Sequence, residues 1–429
     1  MHMLSKNRKG TIMKMDNNRS NVPSLRFNGF SGEWKEMKLR EIGTFLKGQS
    51  LSKGELNDHG KNLCIHYGEL FTKYSEIISS IVSKTDSQIR VGSKYGDILF
   101  PASDVTPTGL ARCSTLLIDD VLLGGDIIIF RPQGSISPGF LSYAINNQKK
   151  AMVRLVAGAV VKHITPGELA SLSIALPPTI DEQEIIAACL SDIDSIITTQ
   201  GLKVNALKEM KQGLLQQFFP HSGETTPRLR FLGFTEDWEE KKLGDLAHKM
   251  NRRNRQLEVS RVLTNSAIDG IVDQSTYFDK DIAVRGNTDN YHIVELNDFV
   301  YNPRISTAAP VGPISINKIG KGIMSPLYTV FKFYKGYVPF FEHYFQTTIW
   351  HPYLKSIANF GARYDRMNIT SEGFFDMPIY FPSSLAEQKK IASCLSSLDD
   401  TIQSEIDKLE ALKAHKKGLM QQLFPQPTK

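Results

Sequence analysis

The chain carries the same sequence pattern twice, and this internal repeat constrains the fold more than any other feature. Leu25-Arg26-Phe27, followed by Trp34, recurs as Leu229-Arg230-Phe231 and Trp238, 204 positions later. A longer stretch, 177–220, recurs as 382–425 at a shift of 205. Two similar units in one chain predict a molecule with pseudo-two-fold symmetry, the single-chain version of a symmetric dimer.

Composition sets the broad class of the protein. A length of 429 residues is enough for two or three domains, and 51 basic against 45 acidic residues give a formal net charge of +6, which permits a polyanionic partner without requiring one. The four cysteines are too scattered for a disulfide framework or a zinc site, which favours a reducing compartment. No uninterrupted apolar run approaches the length of a membrane span. We therefore expect a cytoplasmic protein that binds neither metal nor membrane.

Each half divides into a globular part and a long helix. Apparent strands, such as 64–71 and 97–101, mix with a helical stretch after Pro138 or Pro339, which predicts a mixed α/β (α+β) domain in each half. The basic start of the chain has no apolar segment and predicts a flexible leader, with nucleic-acid contact as the alternative. The predicted organisation is a leader over 1–21, globular domains over 22–176 and 221–381, long helices over 177–220 and 382–425, and a tail over 426–429.

Both long helices carry an apolar heptad repeat. Each opens with a capping box, Thr179-x-x-Glu182 or Ser384-x-x-Glu387, in which hydroxyl and carboxylate satisfy backbone N–H groups reciprocally. Apolar residues recur at intervals of seven, and the seams include Leu190, Ile197, Leu207 and Leu214 in the first copy and Leu395, Ile402, Leu412 and Leu419 in the second. Lys211 and Lys416 interrupt the seams at equivalent places, as do Gln200 and Glu405. The pattern predicts one antiparallel two-helix coiled coil; the alternative is two amphipathic helices, each packed on its own domain.

A helix of this length suggests a spacer. At about 1.5 Å per residue, about 37 residues form a rod of roughly 55 Å. On B-DNA, that length corresponds to about 16 base pairs. Domains held by such a rod could read two half-sites about one helical turn apart.

Taken in order, these elements resemble the specificity (S) subunit of type I restriction-modification enzymes. The resemblance rests on Leu-Arg-Phe-x-Gly-Phe with the following Trp and Lys-Leu, on the Glu-Gln-x-x-Ile-Ala-x-Cys-Leu start of the long helix, and on its Gly-Leu-x-Gln-Gln-x-Phe end. Both copies carry these motifs, so that the resemblance covers the chain from Val22 to Pro425.

The resemblance implies a specific architecture and set of partners. Two target-recognition domains would each read one part of a split, asymmetric site in double-stranded DNA, and the two-helix coiled coil would fix the unread gap between the parts. Two methyltransferase (M) subunits, and restriction (R) subunits in the full complex, would assemble around the chain. The S subunit of the family is not catalytic, so S-adenosylmethionine, ATP and Mg are expected in the partner subunits and no cofactor is expected on this chain.

Basic and amide side chains on loops are the candidates for DNA contact, because Arg, Lys, Asn and Gln read base edges and positive charges contact phosphates. A dense basic loop near the start of the second domain carries Arg252, Arg253 and Arg255. A loop before the last strand of that domain carries Arg363, Arg366 and Asn368, and its counterpart in the first domain carries Lys162 and His163. A weaker set is Lys47, Gln49 and Arg304. The alternative for each is a solvated surface run or a turn.

Motifs for catalysis are incomplete. The nearest approach to the Asn-Pro-Pro-aromatic turn of adenine methyltransferases is Asn302-Pro303-Arg304-Ile305, and the sequence has no Gly-x-x-x-x-Gly-Lys-Ser/Thr phosphate loop. The leading hypothesis is therefore a non-catalytic DNA-specificity subunit. The competing hypothesis is a protein-interaction scaffold, with two binding domains on a coiled-coil spacer and no nucleic acid.

Overall fold

The computed structural model describes residues 12–14, 21–221, 224–277, 288–359 and 365–425. The chain divides into two compact units, one formed by Met1–Gly201 with Asp407–Lys429 and the other by Leu202–Ile406. The first unit thus contains one globular domain, the start of the first long helix and the end of the second. The second unit contains the other domain, the end of the first long helix and the start of the second.

The first unit is built around a mixed sheet of five strands. Their spatial order is Gly43–Lys47, Ile127–Pro132, Asp97–Pro101, Ser114–Leu116 and Ile77–Ile78. A three-stranded sheet, Leu122–Leu123, Asn62–Ile65 and Lys84–Thr85, lies beside it, and three strand pairs complete the unit: Ile12–Lys14 with Leu25–Phe27, Lys35–Lys38 with Ser173–Leu176, and Ser103–Asp104 with Lys162–His163. The helices are Leu39–Ile42, Glu69–Thr72, Pro107–Leu110, Pro138–Asn147, Lys149–Arg154 and Pro166–Leu169, with a 3₁₀ turn at Lys53–Glu55.

The second unit repeats this plan with fewer strands among its described residues. The main sheet has the order Ala247–Lys249, Thr329–Phe333, Phe299–Tyr301 and Ile314–Ile316. The strand pairs are Trp238–Lys242 with Pro378–Pro382, Leu263–Ser266 with Gly270–Asp273, and His292–Val294 with Gly322–Met324. The helices are Gln274–Tyr277, Val338–Tyr344, His351–Ile357 and Ser371–Phe375, with a 3₁₀ turn at Leu243–Asp245. The predicted mixed α/β class with two duplicated domains is confirmed.

Two local expectations need correction. The strand expected over 64–71 ends at Ile65, and Glu69–Thr72 forms a short helix, because the Glu69 carboxylate accepts the His66 backbone N–H and the Lys73 ammonium, contacts that suit a helical turn. Within the segment expected to be a flexible leader, Ile12–Lys14 pairs with Leu25–Phe27 as a strand. Residues 1–11 and 15–20 lie outside the described residues.

The two long helices, Ile180–Phe218 and Leu385–Leu423, have 39 residues each. Thr179 and Ser384 accept the backbone N–H of Glu182 and Glu387, as a capping box requires. The second hydrogen bond of the predicted capping box, from the backbone N–H of Thr179 or Ser384 to the glutamate side chain, is absent from the start of each helix. The two carboxylates bind arginines instead. A bidentate, charge-assisted pair with arginine is stronger than a single bond to a backbone N–H.

These arginines belong to the repeated Leu-Arg-Phe motif, so the motif ties each domain to the start of its own helix. Arg26 binds Glu182 through Nε and Nη2, both at 2.7 Å, with both side chains buried. Arg230 binds Glu387 in the same way, at 2.6 and 2.8 Å. The next residue of each helix, Gln183 or Gln388, accepts the backbone N–H of Ser137 or Tyr337. The Glu-Gln motif thus fixes two segments of the domain at once.

The end of each long helix lies in the domain of the opposite copy. Phe424, just after the second helix, packs on Trp34 and Phe140 in the first unit, with ring centroids 6.2 and 5.4 Å away. Phe219, just after the first helix, packs on Trp238 and Phe340 in the second unit, at 6.1 and 5.2 Å. Each domain core therefore contains residues from both long helices.

The predicted seam residues of the two helices are all buried or half-buried. Where a lysine interrupts the seam, an aspartate of the other helix binds it: Lys416 contacts Asp194 at 2.6 Å in the first unit, and Lys211 contacts Asp399 in the second. In the second unit Lys203 also contacts Glu405. Residue numbers rise along one helix as they fall along the other, so the helix segments within this unit run antiparallel. By length and composition alone the helix Ile180–Phe218 could cross a membrane, a test that core helices of soluble proteins also pass.

Candidate nucleic-acid interface

One edge of the main sheet in the first unit gathers two of the predicted contact regions. The strands Gly43–Lys47 and Asp97–Pro101 both pair antiparallel with Ile127–Pro132, so they point the same way and end at the same edge. Lys47 pairs with Ile128, and Pro101 pairs with the adjacent Ile127. Exposed Lys47 and the segment that follows Pro101 therefore lie at one sheet edge.

A hairpin that precedes the last strand of the domain adds to this edge. Its strand Lys162–His163 pairs antiparallel with Ser103–Asp104, directly after Pro101. His163 is exposed and Lys162 is half-buried, with its ammonium donating to the carbonyl oxygens of Gly158 and Ala159. The predicted pair Lys162 and His163 thus lies beside the end of a central strand. We refer to 157–163 with 103–105 as the first ladder.

The second unit builds the same ladder from different side chains. Arg366 pairs with Arg304 as His163 pairs with Ser103. The flanking bonds also correspond: the Met367 N–H donates to Pro303 and the Ile164 N–H donates to Ala102. Arg304 and Arg366, which are 62 positions apart in the sequence, are therefore neighbours in the fold. We refer to 303–305 with 359 and 365–368 as the second ladder.

Two arginines and one carboxylate make up the charged face of the second ladder. Arg304 Nη2 lies 3.4 Å and Arg366 Nε 3.9 Å from the same oxygen, Oδ2 of Asp365. Asn368 is exposed and exchanges backbone hydrogen bonds with Asn359. Arg363 lies outside the described residues. The ladder offers donors for base acceptors and positive charge for phosphates.

The basic loop Arg252, Arg253 and Arg255 lies against the strand His292–Val294 rather than free in solvent. Arg252 binds Glu295, and this contact lowers the pKa of that carboxyl. Arg253 donates to the carbonyl oxygen of Asn290. Arg255 is exposed and has no partner among the described residues. Glu295 is distant from Arg252 in sequence, and only the fold brings the two together.

A histidine beside this loop carries no charge near neutral pH. Burial, together with the positive charges of Arg253 and Lys249, lowers the pKa of His292 to about 4. Lys249 is itself an exposed residue that the sequence reading missed, and its ammonium donates to Ser371 Oγ. It ends the strand Ala247–Lys249, but the repeat offset of 204 maps Lys47 onto Asn251, so the repeat carried no signal for Lys249.

The side-chain amides of Gln49 and Asn302 form hydrogen bonds within the protein. The Gln49 amide donates to the Gln88 carbonyl oxygen and accepts the N–H groups of Arg90 and Val91. A base contact by Gln49 would require it to exchange these partners, so its role in DNA contact stays a prediction. Asn302, from the incomplete Asn-Pro turn, is buried, donates to the Asn265 carbonyl oxygen and accepts the Arg304 N–H, which is a structural use of the amide.

The described geometry defines a class of protein: a tandem duplication of one α/β module, with a polar or basic ladder in each copy. A family model described as "Type I restriction modification DNA specificity domain" matches residues 31–209 and 235–414. The chain therefore belongs to the type I restriction-modification DNA specificity family. Its role is DNA sequence specificity, and the family is not itself catalytic.

Individual relatives agree with this membership. A protein named "Putative type I restriction enzyme MjaX specificity subunit", from Methanocaldococcus jannaschii, is 27% identical over 326 residues, which is 71% of each chain. Among solved structures, the type I restriction-modification system S subunit from M. genitalium matches with a TM-score of 0.56 at 15% identity, covering 94% of this chain and 98% of that one. A chain of a second solved structure, described as "Structural basis underlying complex assembly and conformational transition of the type I R-M system", matches with a TM-score of 0.51. The match covers 92% of this chain and 98% of that one. At these identities the solved structures show the fold alone.

Proposed function

We propose that each globular domain, over 22–176 and 221–381, reads one half of a bipartite, asymmetric target in double-stranded DNA. The observation that carries the proposal is the pair of equivalent ladders. Both occupy the same place in the fold, yet one presents Lys162 and His163 and the other Arg304, Arg366 and Asn368. Equivalent position with different donors is what two modules need in order to read different bases.

The two long helices, over 177–220 and 382–425, act in this proposal as an antiparallel coiled coil that sets the unread gap. The reciprocal contacts of Lys416 with Asp194 and of Lys211 with Asp399 support this role and a pseudo-two-fold arrangement. The chain also serves as the scaffold for two M subunits and, in the full complex, for R subunits. S-adenosylmethionine, ATP and Mg bind to those partners, and the complex works in the cytoplasm.

Reconstitution tests this function directly. The chain is assembled with its cognate M subunit and S-adenosylmethionine, and methylated adenines are mapped on genomic DNA. We expect a single split motif with a fixed gap. Binding of the complex to duplex DNA should weaken steeply with salt, because phosphate contacts release counterions. Salt-independent retention, or methylation without a split motif, would instead favour a protein-interaction scaffold.

A further inference from the structure

The first ladder ends in three exposed apolar side chains. Val105, Val160 and Val161 are 74%, 85% and 45% exposed. A single exposed valine is common on protein surfaces, but three valines on one loop system that also carries polar contact residues form a local apolar feature. We refer to these three residues as the valine tip.

Backbone pairing brings together the two chain segments that carry the valine tip. Lys162 lies opposite Asp104, and His163 opposite Ser103, in antiparallel register. Val161 directly precedes Lys162 in one segment, and Val105 directly follows Asp104 in the other, so both valines stand at the same end of the paired strands. Val160 precedes Val161.

The loop that presents the valine tip is held in one conformation. Gly158 has φ +107°, and a Cβ at that position would lie 2.2 Å from the Val161 carbonyl oxygen, so only glycine fits. Ala157 and His163 exchange two backbone hydrogen bonds of 3.0 and 2.8 Å. The Lys162 ammonium closes the turn by donating to Gly158 and Ala159, at 2.6 and 2.9 Å. A loop ordered before binding loses little conformational entropy when it contacts a ligand.

We propose that the valine tip reads the 5-methyl group of a thymine in the major groove of the half-site bound by the first domain. The thymine methyl is the apolar feature of the major groove, and short apolar side chains are its ordinary partners. The valine tip is continuous with Lys162 and His163, whose charge or donors suit the neighbouring phosphates and base acceptors. The second ladder, with Arg304 and Arg366, has the donors that suit guanine instead. The inference rests on the proposed function.

Deoxyuridine tests this assignment, because it differs from thymine only by lacking the methyl group. The assembled complex of the full chain and M subunit is titrated with its mapped target and with duplexes in which the thymines of one half-site are replaced by deoxyuridine. Replacement in one of the two halves should weaken binding about fourfold per contacted methyl, as expected for one buried methylene-sized group. The Val105→Ser, Val160→Ser, Val161→Ser triple variant removes the apolar methyl groups and should bind thymine and deoxyuridine duplexes equally.

Matched controls separate reading from structure. Val82 is 68% exposed in the same domain but outside the first ladder, and Val82→Ser should leave the thymine preference unchanged. The inference is overturned by a target in which neither half contains an A·T pair, by equal binding of thymine and deoxyuridine duplexes, or by a preference that the triple variant retains. Loss of M-subunit association by the triple variant, with the thymine preference intact, would assign the valine tip to a protein interface. The absence of salt-dependent DNA binding would instead contradict the proposed function itself.

Discussion

At the scale of single residues, equivalent positions in the two copies of the repeat can be compared directly. Asp97 begins a central strand, Asp298 directly precedes the equivalent strand, and both are fully buried. Asp97 binds Arg131 through two hydrogen bonds of 2.8 and 2.7 Å. Asp298 accepts the Glu295 backbone N–H at 2.8 Å through Oδ2 and has Lys332 as its ion-pair partner only at 3.9 Å, while its Oδ1 has no hydrogen-bond partner among the described residues. A buried carboxylate without close compensation disfavours its charged form.

This difference predicts opposite effects of the same substitution. Burial raises the pKa of Asp298 above its ordinary value, so the folded state binds a proton more readily than the unfolded state, and stability is lost as pH rises through the folded-state pKa. Asp298→Asn should therefore raise stability at neutral pH, because it removes a buried charge, and the gain should vanish in acid. Thermal unfolding between pH 4 and 8 measures it.

Asp97→Asn is the matched control for this prediction. It removes charge from a buried bidentate pair and leaves Arg131 without its counter-ion, so it should destabilise the protein at neutral pH. Equal destabilisation by Asp97→Asn and Asp298→Asn would show that the missing partner of Asp298 has no energetic consequence.

The arginines of the second ladder predict a salt effect. If Arg304 and Arg366 contact phosphates, each change to alanine should weaken binding of the assembled complex to DNA and lower the slope of log affinity against log salt by about 1. Arg228, which is exposed beside Glu224, is the matched control and should leave the slope unchanged on mutation to alanine. Wild-type slopes for both ladder variants would place the phosphate contacts elsewhere.

At the scale of elements, the end of each long helix stabilises the domain of the opposite copy. Phe424 and Phe219 are buried among Trp34 and Phe140 and among Trp238 and Phe340, respectively. Truncating a buried phenylalanine to alanine typically costs about 3 to 5 kcal/mol, because apolar contact is lost and a cavity remains. The stability should be lost in the domain into which the phenylalanine packs, not in the domain that precedes its helix in the sequence.

Hydrogen exchange checks where the stability is lost. Phe424→Ala should reduce amide protection in the sheet of the first unit, which lies far earlier in the chain, and Phe219→Ala should do so in the second unit. Leu385, a large apolar residue that is 49% exposed at the start of the second long helix, provides a control, and Leu385→Ala should change protection little. Loss of protection confined to the helix that carries the substitution would contradict the packing.

At the scale of the whole molecule, the proposed ruler makes one prediction about DNA. Deleting one heptad from each long helix, 190–196 together with 395–401, removes about 10 Å from each helix while preserving the heptad phase. The complex should then methylate a motif with a shorter gap, or lose activity if no spacing fits. Mapping of methylated adenines measures the gap. A deletion of the same length in one helix alone breaks the pairing and should abolish activity, whereas an unchanged gap after the double deletion would exclude the helices as a ruler.

Much of the architecture follows from the sequence by itself. The repeat, the mixed α/β composition of each half and the two long helices are local or periodic signals, since strand and helix periods are set by backbone geometry. The duplication also identified the family. Even the motif residues Arg26, Glu182 and Gln183 were visible as a pattern, although their chemistry was not.

Only the tertiary structure decided which residues act together. It paired Arg26 with Glu182 in place of the second hydrogen bond of the predicted capping box, placed Arg304 beside Arg366, gave Arg252 the partner Glu295, and paired Ser103 with His163. Each of these contacts joins residues tens to more than a hundred positions apart. Sequence periodicity reports which face of an element is buried, whereas ion pairs and binding surfaces depend on which elements meet, and that is fixed by packing across the whole domain.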